Sequence, residues 1–179
     1  MTNLLSRRST LHIATGAILL GAGFVRPATA ETFPGTEAGA RALLMQFLPN
    51  AKTDKAAVMR TLRPAAADYR AVYQDPLAGR LEQEHRKIWD AGTVLAGKPE
   101  QTELLLLVVR TDDLIDGKPA LAEFPGGYRK VVGDMKRGLP IARFKFVQPG
   151  STTGMAFDGL VHVNGRWVLI PKPWTAAAS

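Results

Sequence analysis

The stretch GMAFDGLVHVNGRWVLIPKPW (residues 154–174) decides the fold. Asn164-Gly165 sits between two apolar, β-branched runs, and a two-residue type I′ turn needs positive φ at both of its central positions. A hairpin therefore centres there. Counting back from the turn sets Val163 opposite Arg166, His162 opposite Trp167, Leu160 opposite Leu169 and Asp158 opposite Pro171. The preceding run IARFKFV (residues 141–147) supplies a third strand. Aligning Phe146 with Met155 and Phe144 with Phe157 keeps its aromatic neighbours on one face. That register sets Arg143 across from Asp158 and Lys145 across from Ala156. The other face therefore carries Arg143, Lys145, Asp158, His162, Trp167 and two leucines together.

Upstream, TELLLLVVR (residues 102–110) is a continuous apolar run and reads as a strand buried on both faces. KPALAEF (118–124) reads as a short strand pairing back onto it. GGYRKVVGDMKRG (126–138) reads as a short helix through Tyr128, Val131, Val132 and Met135, closed by Gly138. The N-terminal part has helical spacing instead. Ala40, Leu43, Leu44, Phe47 and Leu48 recur at one face and stop at Pro49. Thr53 is placed to cap a second helix that ends before Pro64, and Tyr69, Val72 and Tyr73 share a face of a third. The fourth starts with Asp75 as cap and Pro76 in first position and ends before Gly92, with an inner stripe of Leu77, Leu81, His85, Ile88 and Trp89. Helices first and antiparallel strands after them predict an α+β domain, N-terminal helices packed on a curved, mainly antiparallel sheet. No repeat or long linker divides it, so residues 31–179 are expected to fold as one domain.

The first thirty residues belong to a different pattern. Arg7-Arg8, a short Gly- and Ala-rich apolar run, and Ala28-Thr29-Ala30 are the charged start, apolar middle and A-x-A end of a cleavable signal peptide, cut after Ala30. The apolar run is too short to be a stable membrane span. No cysteine follows Ala30, so a lipid anchor is not expected either. SRRSTLH (residues 6–12) resembles the twin-arginine signal: Ser6, Arg7, Arg8 and Leu11 match, while Thr10 and His12 replace the usual Phe and Lys. The resemblance implies recognition by the twin-arginine (Tat) export machinery, passage in the folded state, and a periplasmic or secreted destination. An ordinary Sec signal with a chance arginine pair is the alternative.

The order of elements resembles the NTF2-like (SnoaL-like) family over about residues 37–172, on the strength of that order and the final VNGRWVLIP hairpin. The resemblance implies a cone-shaped pocket between helices and sheet and a homodimer packed through the sheet. The 154–174 block is also similar to exported bacterial domains with no assigned activity. A fold of this kind hosts enzymes and binding modules alike.

Composition narrows the chemistry. The chain has 23 Lys plus Arg against 16 acidic residues, a formal charge of +7. Three of those cations and none of the acids lie in residues 1–30, which leaves about +4 after cleavage. That is weak support for a nucleic-acid partner, and none is expected. With no cysteine, disulfides, iron–sulfur clusters and c-type haem attachment are excluded. Asp112, Asp116, Gly117 and Glu123 fall in register with a calcium EF-hand loop, but Leu114 replaces an oxygen ligand and the flank is strand-like; an acidic turn is the alternative. Only His85 and His162 remain beyond residue 30, and neither has the neighbours of a metal site, so no metal and no cofactor is expected. FPGGYRK (124–130) lacks phosphate-loop spacing, and no serine sits in a nucleophile elbow.

The candidate site is the polar sheet face. On a pocket wall, Asp158 or His162 would serve as general base, with Arg143 steadying an anion. Asp158 and His162, about 13 Å apart along one strand, are not a direct pair. On an outer face the same residues make an ion pair beside a stacked His and Trp. His85 interrupts an apolar stripe and is either a hydrogen-bonded core histidine or a base facing Tyr69 and Tyr73. Candidate catalytic residues are thus Asp158, His162 and His85, and candidate binding residues are Tyr69, Tyr73, Arg143, Lys145 and Trp167. The expected function is an exported binding module for a small molecule or an envelope protein. The alternative is a small acid–base pocket enzyme of isomerase, dehydratase or hydrolase type.

Overall fold

A computed structural model describes residues 33–177 of the chain. The signal-peptide expectation, including Arg7, Arg8 and the cut after Ala30, lies outside the described residues. Four helices come first: α1 (Glu37–Met45), α2 (Lys55–Thr61), α3 (Ala66–Val72) and α4 (Leu77–Asp90). Then follow β1 (Glu103–Arg110), a one-turn α5 (Thr111–Ile115), β2 (Pro140–Val147), β3 (Ala156–Val163) and β4 (Arg166–Leu169). The four strands form one curved antiparallel sheet in the order β1-β2-β3-β4. The α+β reading, helices first and antiparallel sheet after, is what the chain adopts.

Local chemistry accounts for most of the helix ends. Thr36 Oγ1 accepts from the Gly39 amide at 3.2 Å. In α4 the cap residue is Pro76 rather than Asp75, and the helix starts at Leu77; Asp75, one residue further out, still accepts from the Gly79 amide at 3.2 Å. The cap of α2 is Asp54, which accepts from the Ala57 amide at 3.0 Å; the Thr53 hydroxyl instead donates to the Gln46 carbonyl. Asp54 is one residue closer to the helix, and an ionised acceptor suits the positive helix N-terminus better. Ile88, expected inside, is 41% exposed, because α4 turns only Leu77, Ala78, Leu81 and His85 fully inward.

Both faces of the sheet are covered, each by its own helices. Ala142, Phe144, Phe146, Leu160 and Trp167 pack against Leu43, Leu44, Phe47 and Leu62 from α1 and α2 and their ends. On the opposite face, Ile141, Val161, Val163 and Val168 meet Tyr69, Tyr73, Leu77 and Leu81 from α3 and α4. Each fully buried Phe or Leu contributes about 1.5–3 kcal/mol, so two such layers supply the cohesion of a chain without disulfides.

Three expectations are corrected. β1 is an edge strand with residues half-buried or exposed, not a strand buried on both faces. Its outer side has no strand partner among the described residues because KPALAEF does not return to it. That segment forms a 3-10 turn (Pro119–Glu123); before it, the chain leaves β1 into α5, where the Asp113 carboxylate accepts from the Arg110 amide. The Tyr128 segment is likewise two 3-10 turns, Gly126–Lys130 and Val132–Asp134, rather than one helix.

A further correction, to the sheet register, matters most for the site. β3 and β4 pair as expected from the Asn164-Gly165 turn, from Val163 opposite Arg166 to Leu160 opposite Leu169. Phe144 also lies opposite Phe157 and Lys145 opposite Ala156. Beyond these the register shifts, and Ala142 faces Leu160. Asp158 and Gly159 together oppose the single residue Arg143, which is a β-bulge. Gly159 takes φ +77°, and the Ile170 amide donates to its carbonyl at 2.8 Å, so the β3–β4 ladder ends there without setting Asp158 opposite Pro171. One extra residue reverses the alternation. Asp158 turns to the α3/α4 side, whereas His162 and Trp167 turn to the α1/α2 side.

Candidate functional site

The sheet corner where β1 meets β2 brings apolar and cationic side chains together at one cleft. Leu105 lies directly across from Lys145 and Leu107 across from Arg143. Residues two apart on a strand project from the same face, so the four side chains form a two-by-two patch. This patch lies on the α3/α4 side but beyond the area those helices cover. Leu105 is 38% exposed there. With Glu123 and Thr152 at its rim, the corner encloses a cleft of about 210 Å³. Arg143 Nη1 donates to Glu123 Oε2 at 3.0 Å; the arginine side chain is 18% exposed and the glutamate 62%. Lys145 Nζ donates to the Thr152 carbonyl at 3.2 Å.

Behind Arg143 lies a buried polar cluster. Asp158 Oδ1 accepts from Tyr128 Oη at 3.2 Å and from the Lys172 amide at 3.1 Å. Burial pushes its carboxyl up from the usual carboxylate range, opposed by these two hydrogen bonds and by the charges of Lys172 and Arg143. Burial likewise raises the hydroxyl pKa of Tyr128 and of Tyr73, and the Tyr73 hydroxyl has no hydrogen-bond partner. A C-terminal strap (Pro173–Ala176) closes over this cluster. Its Trp174 ring stacks on Gly127, where a Cβ would come within 2.3 Å, and its Ala176 carbonyl accepts from Arg80 Nε at 2.7 Å.

His85 is on the same side of the sheet, 1% exposed and 5.8 Å from the Tyr69 ring, centroid to centroid. Burial lowers its pKa from 6.5, and the nearby Pro171 carbonyl counters this without the geometry of a hydrogen bond, so both ring nitrogens are unpartnered. Burial pushes the Tyr69 hydroxyl up to about 12. His162 stands on the far side, edge-on to Trp167 at 5.2 Å, with Gly35 against its ring. Trp167 Nε1 donates to the Pro34 carbonyl at 3.0 Å, so this pair fastens the segment that leads into α1.

The sequence candidates therefore fall into separate places. Arg143 and Lys145 share the open corner; Asp158, Tyr73, Tyr69 and His85 lie in the covered core behind it; His162 and Trp167 are across the sheet. The calcium-like loop is a network of ion pairs. Asp112 accepts from the Gly138 amide at 2.7 Å, Arg137 Nη2 donates to Asp116 at 2.7 Å, and Lys118 to Asp113 at 2.8 Å. Among the described residues no group of three or more His, Asp or Glu is placed to hold a metal ion.

Sequence reading missed Asp68. This buried carboxylate accepts from Asn164 Nδ2 at 2.7 Å and from Arg166 Nη2 at 2.5 Å, fixing the hairpin turn to the start of α3. It also missed the strap and the hydrogen bond of Tyr128 to Asp158. Comparison with family models, curated proteins and solved structures gives no match. Among the described residues no helix is long and apolar enough to cross a membrane.

Proposed function

We propose that this chain is an exported binding module whose ligand site is the sheet corner of Leu105, Leu107, Arg143 and Lys145. The observation that supports it is the cross-strand pairing of an exposed leucine, Leu105, and a half-buried one, Leu107, with two cations at the mouth of a cleft. Ligand sites combine an apolar lining with a few placed polar groups, and this corner has both. An acid–base enzyme would need a base that its substrate can reach. At this corner no such base is within reach: Asp158 is covered by Tyr128 and Lys172, His85 is sealed under Tyr69, and the half-buried His162 stands across the sheet beside Trp167, which favours binding over turnover there.

Export rests on the twin-arginine resemblance of residues 6–12, and periplasmic or secreted localisation follows from it. Replacing Arg7-Arg8 by Lys-Lys should strand the precursor in the cytoplasm, and undiminished export would reject the Tat route. For the binding role, native mass spectrometry of the processed protein taken from its own envelope should show a discrete bound mass. A bare mass accompanied by a stoichiometric protein partner would instead support the envelope-partner version of the module.

A further inference from the structure

The corner has a chemical bias beyond being open. Two cations, Arg143 and Lys145, face it against one acid, Glu123, which leaves one uncompensated positive charge over the cleft. Glu123 sits on a 3-10 turn, is mostly in water, and meets the arginine through Nη1 alone among the described residues. Only the glutamate end of the pair is exposed, so water and an incoming anion compete for Arg143 at the glutamate's place. Lys145 spends one of its three donors on the Thr152 carbonyl and keeps two. Arg143 and Lys145 are i and i+2 on one strand, about 6.6 Å apart along it, a span that one carboxylate or phosphate headgroup between their tips bridges.

On the β1 side the same cleft is aliphatic. Leu105 and Leu107 lie one strand spacing away, about 4.8 Å, from the two cations. A ligand that meets both halves must carry its charge at one end and hydrocarbon at the other. The cleft volume of about 210 Å³ equals that of about seven waters at ~30 Å³ each, which suits a small ligand better than a drug-sized one. Two cations in so small a space are also far short of a nucleic-acid track.

We infer that the Leu105/Leu107/Arg143/Lys145 corner binds a short-chain amphipathic anion, an aliphatic carboxylate or alkyl phosphate. The headgroup sits between Arg143 and Lys145, and the chain lies over the two leucines towards the free edge of β1. This rests on the binding-module reading above and adds the ligand class to it.

The test is calorimetric titration of the processed protein with octanoate, octyl phosphate, octan-1-ol and octyltrimethylammonium, beside Arg143→Gln and Lys145→Gln variants checked for unchanged thermal unfolding. Saturable binding of one or both anions is expected, at least about tenfold tighter than that of octan-1-ol, with no heat from the ammonium compound. Each variant should weaken anion binding about tenfold. Equal binding of alcohol and anions, insensitive to both substitutions, would overturn the anion class while leaving a binding module in place. No binding of any probe, with a discrete mass still present on the native protein, would overturn the inference alone. No probe binding and no bound mass would defeat both readings. Should either glutamine variant unfold, salt dependence of the wild-type titration decides: affinity unchanged between low and high salt contradicts the headgroup contacts.

Discussion

Arg143 on β2 stands opposite two residues of β3, Asp158 and Gly159, where an unbroken ladder would give it one. The extra residue sends Asp158 into the core behind Arg143 and swings His162 and Trp167 to the far face. It separates the two residues that the alternation of the strand would have placed together, and it leaves Arg143 and Lys145 facing the open corner of the sheet. The division of these residues between the two faces of the sheet thus follows from the bulge at Asp158 and Gly159.

Gly159 is the first position to test. Its φ of +77° costs a residue with a Cβ about 1–2 kcal/mol, and that Cβ would lie 2.0 Å from the Ile170 carbonyl oxygen. Gly159→Ala is expected to lower unfolding stability in urea by about 3 kcal/mol or more. A loss below about 1 kcal/mol would mean that the bulge does not form.

Asp158 has its folded pKa raised above 3.8 by burial. Its ionised form therefore opposes folding above the folded pKa, and that penalty is relieved as pH falls through the folded pKa towards 3.8. Asn at this position keeps an oxygen to accept from Tyr128 and Lys172 without the charge. Asp158→Asn should match or exceed wild-type stability at pH 7, with the difference closing near pH 4. Clear destabilisation at neutral pH would show that the carboxylate charge itself is needed.

His85 behaves in the opposite sense. Its folded pKa is depressed below 6.5, so the unfolded chain takes up the proton first. Stability is full above about pH 6.5 and declines as pH falls below it towards the folded value. His85→Leu removes two buried, unpartnered nitrogens at similar volume, and its stability should change less between pH 7 and pH 5 than that of the wild type. Parallel pH profiles of the two proteins would contradict the burial of a neutral imidazole.

Asp68 joins α3 to the hairpin turn through Asn164 and Arg166, which are 96 and 98 residues away in sequence. Asp68→Ala leaves the Ala65 amide and Asn164 without their acceptor and is expected to cost about 2–4 kcal/mol. Asp68→Asn should lose less, since its carboxamide oxygen still accepts one of these bonds. Equal loss for both variants would place the whole effect in the charge on Arg166.

Sequence patterns reached the elements whose cause is local. Asn164-Gly165 announces its own turn, and the register of β4 follows by counting; the helix stripes through Leu43 and Leu81 face inward for the same reason. What failed was anything set by distant neighbours. Leu104 to Val109 would be apolar in a central strand or at an edge, and only the failure of residues 118–124 to pair back makes β1 an edge. Asp68 sits among small helix residues with no sign of its partners. Gly159 was the one available signal for the bulge, since glycine inside a strand marks a bend or close backbone approach. Arg143 and Lys145 were legible as candidates because i and i+2 on a strand always share a face. Their setting beside Leu105 and Leu107 was not, because the β1–β2 register has no short turn to count from.

The most direct measurement is amide chemical-shift mapping of the isotopically labelled, processed protein titrated with octanoate. Saturable shifts confined to residues 105–107, 123, 143–145 and 152 are the predicted result. Shifts centred on Tyr69 and His85, or on His162 and Trp167 across the sheet, would contradict the assignment of the site to the corner of β1 and β2.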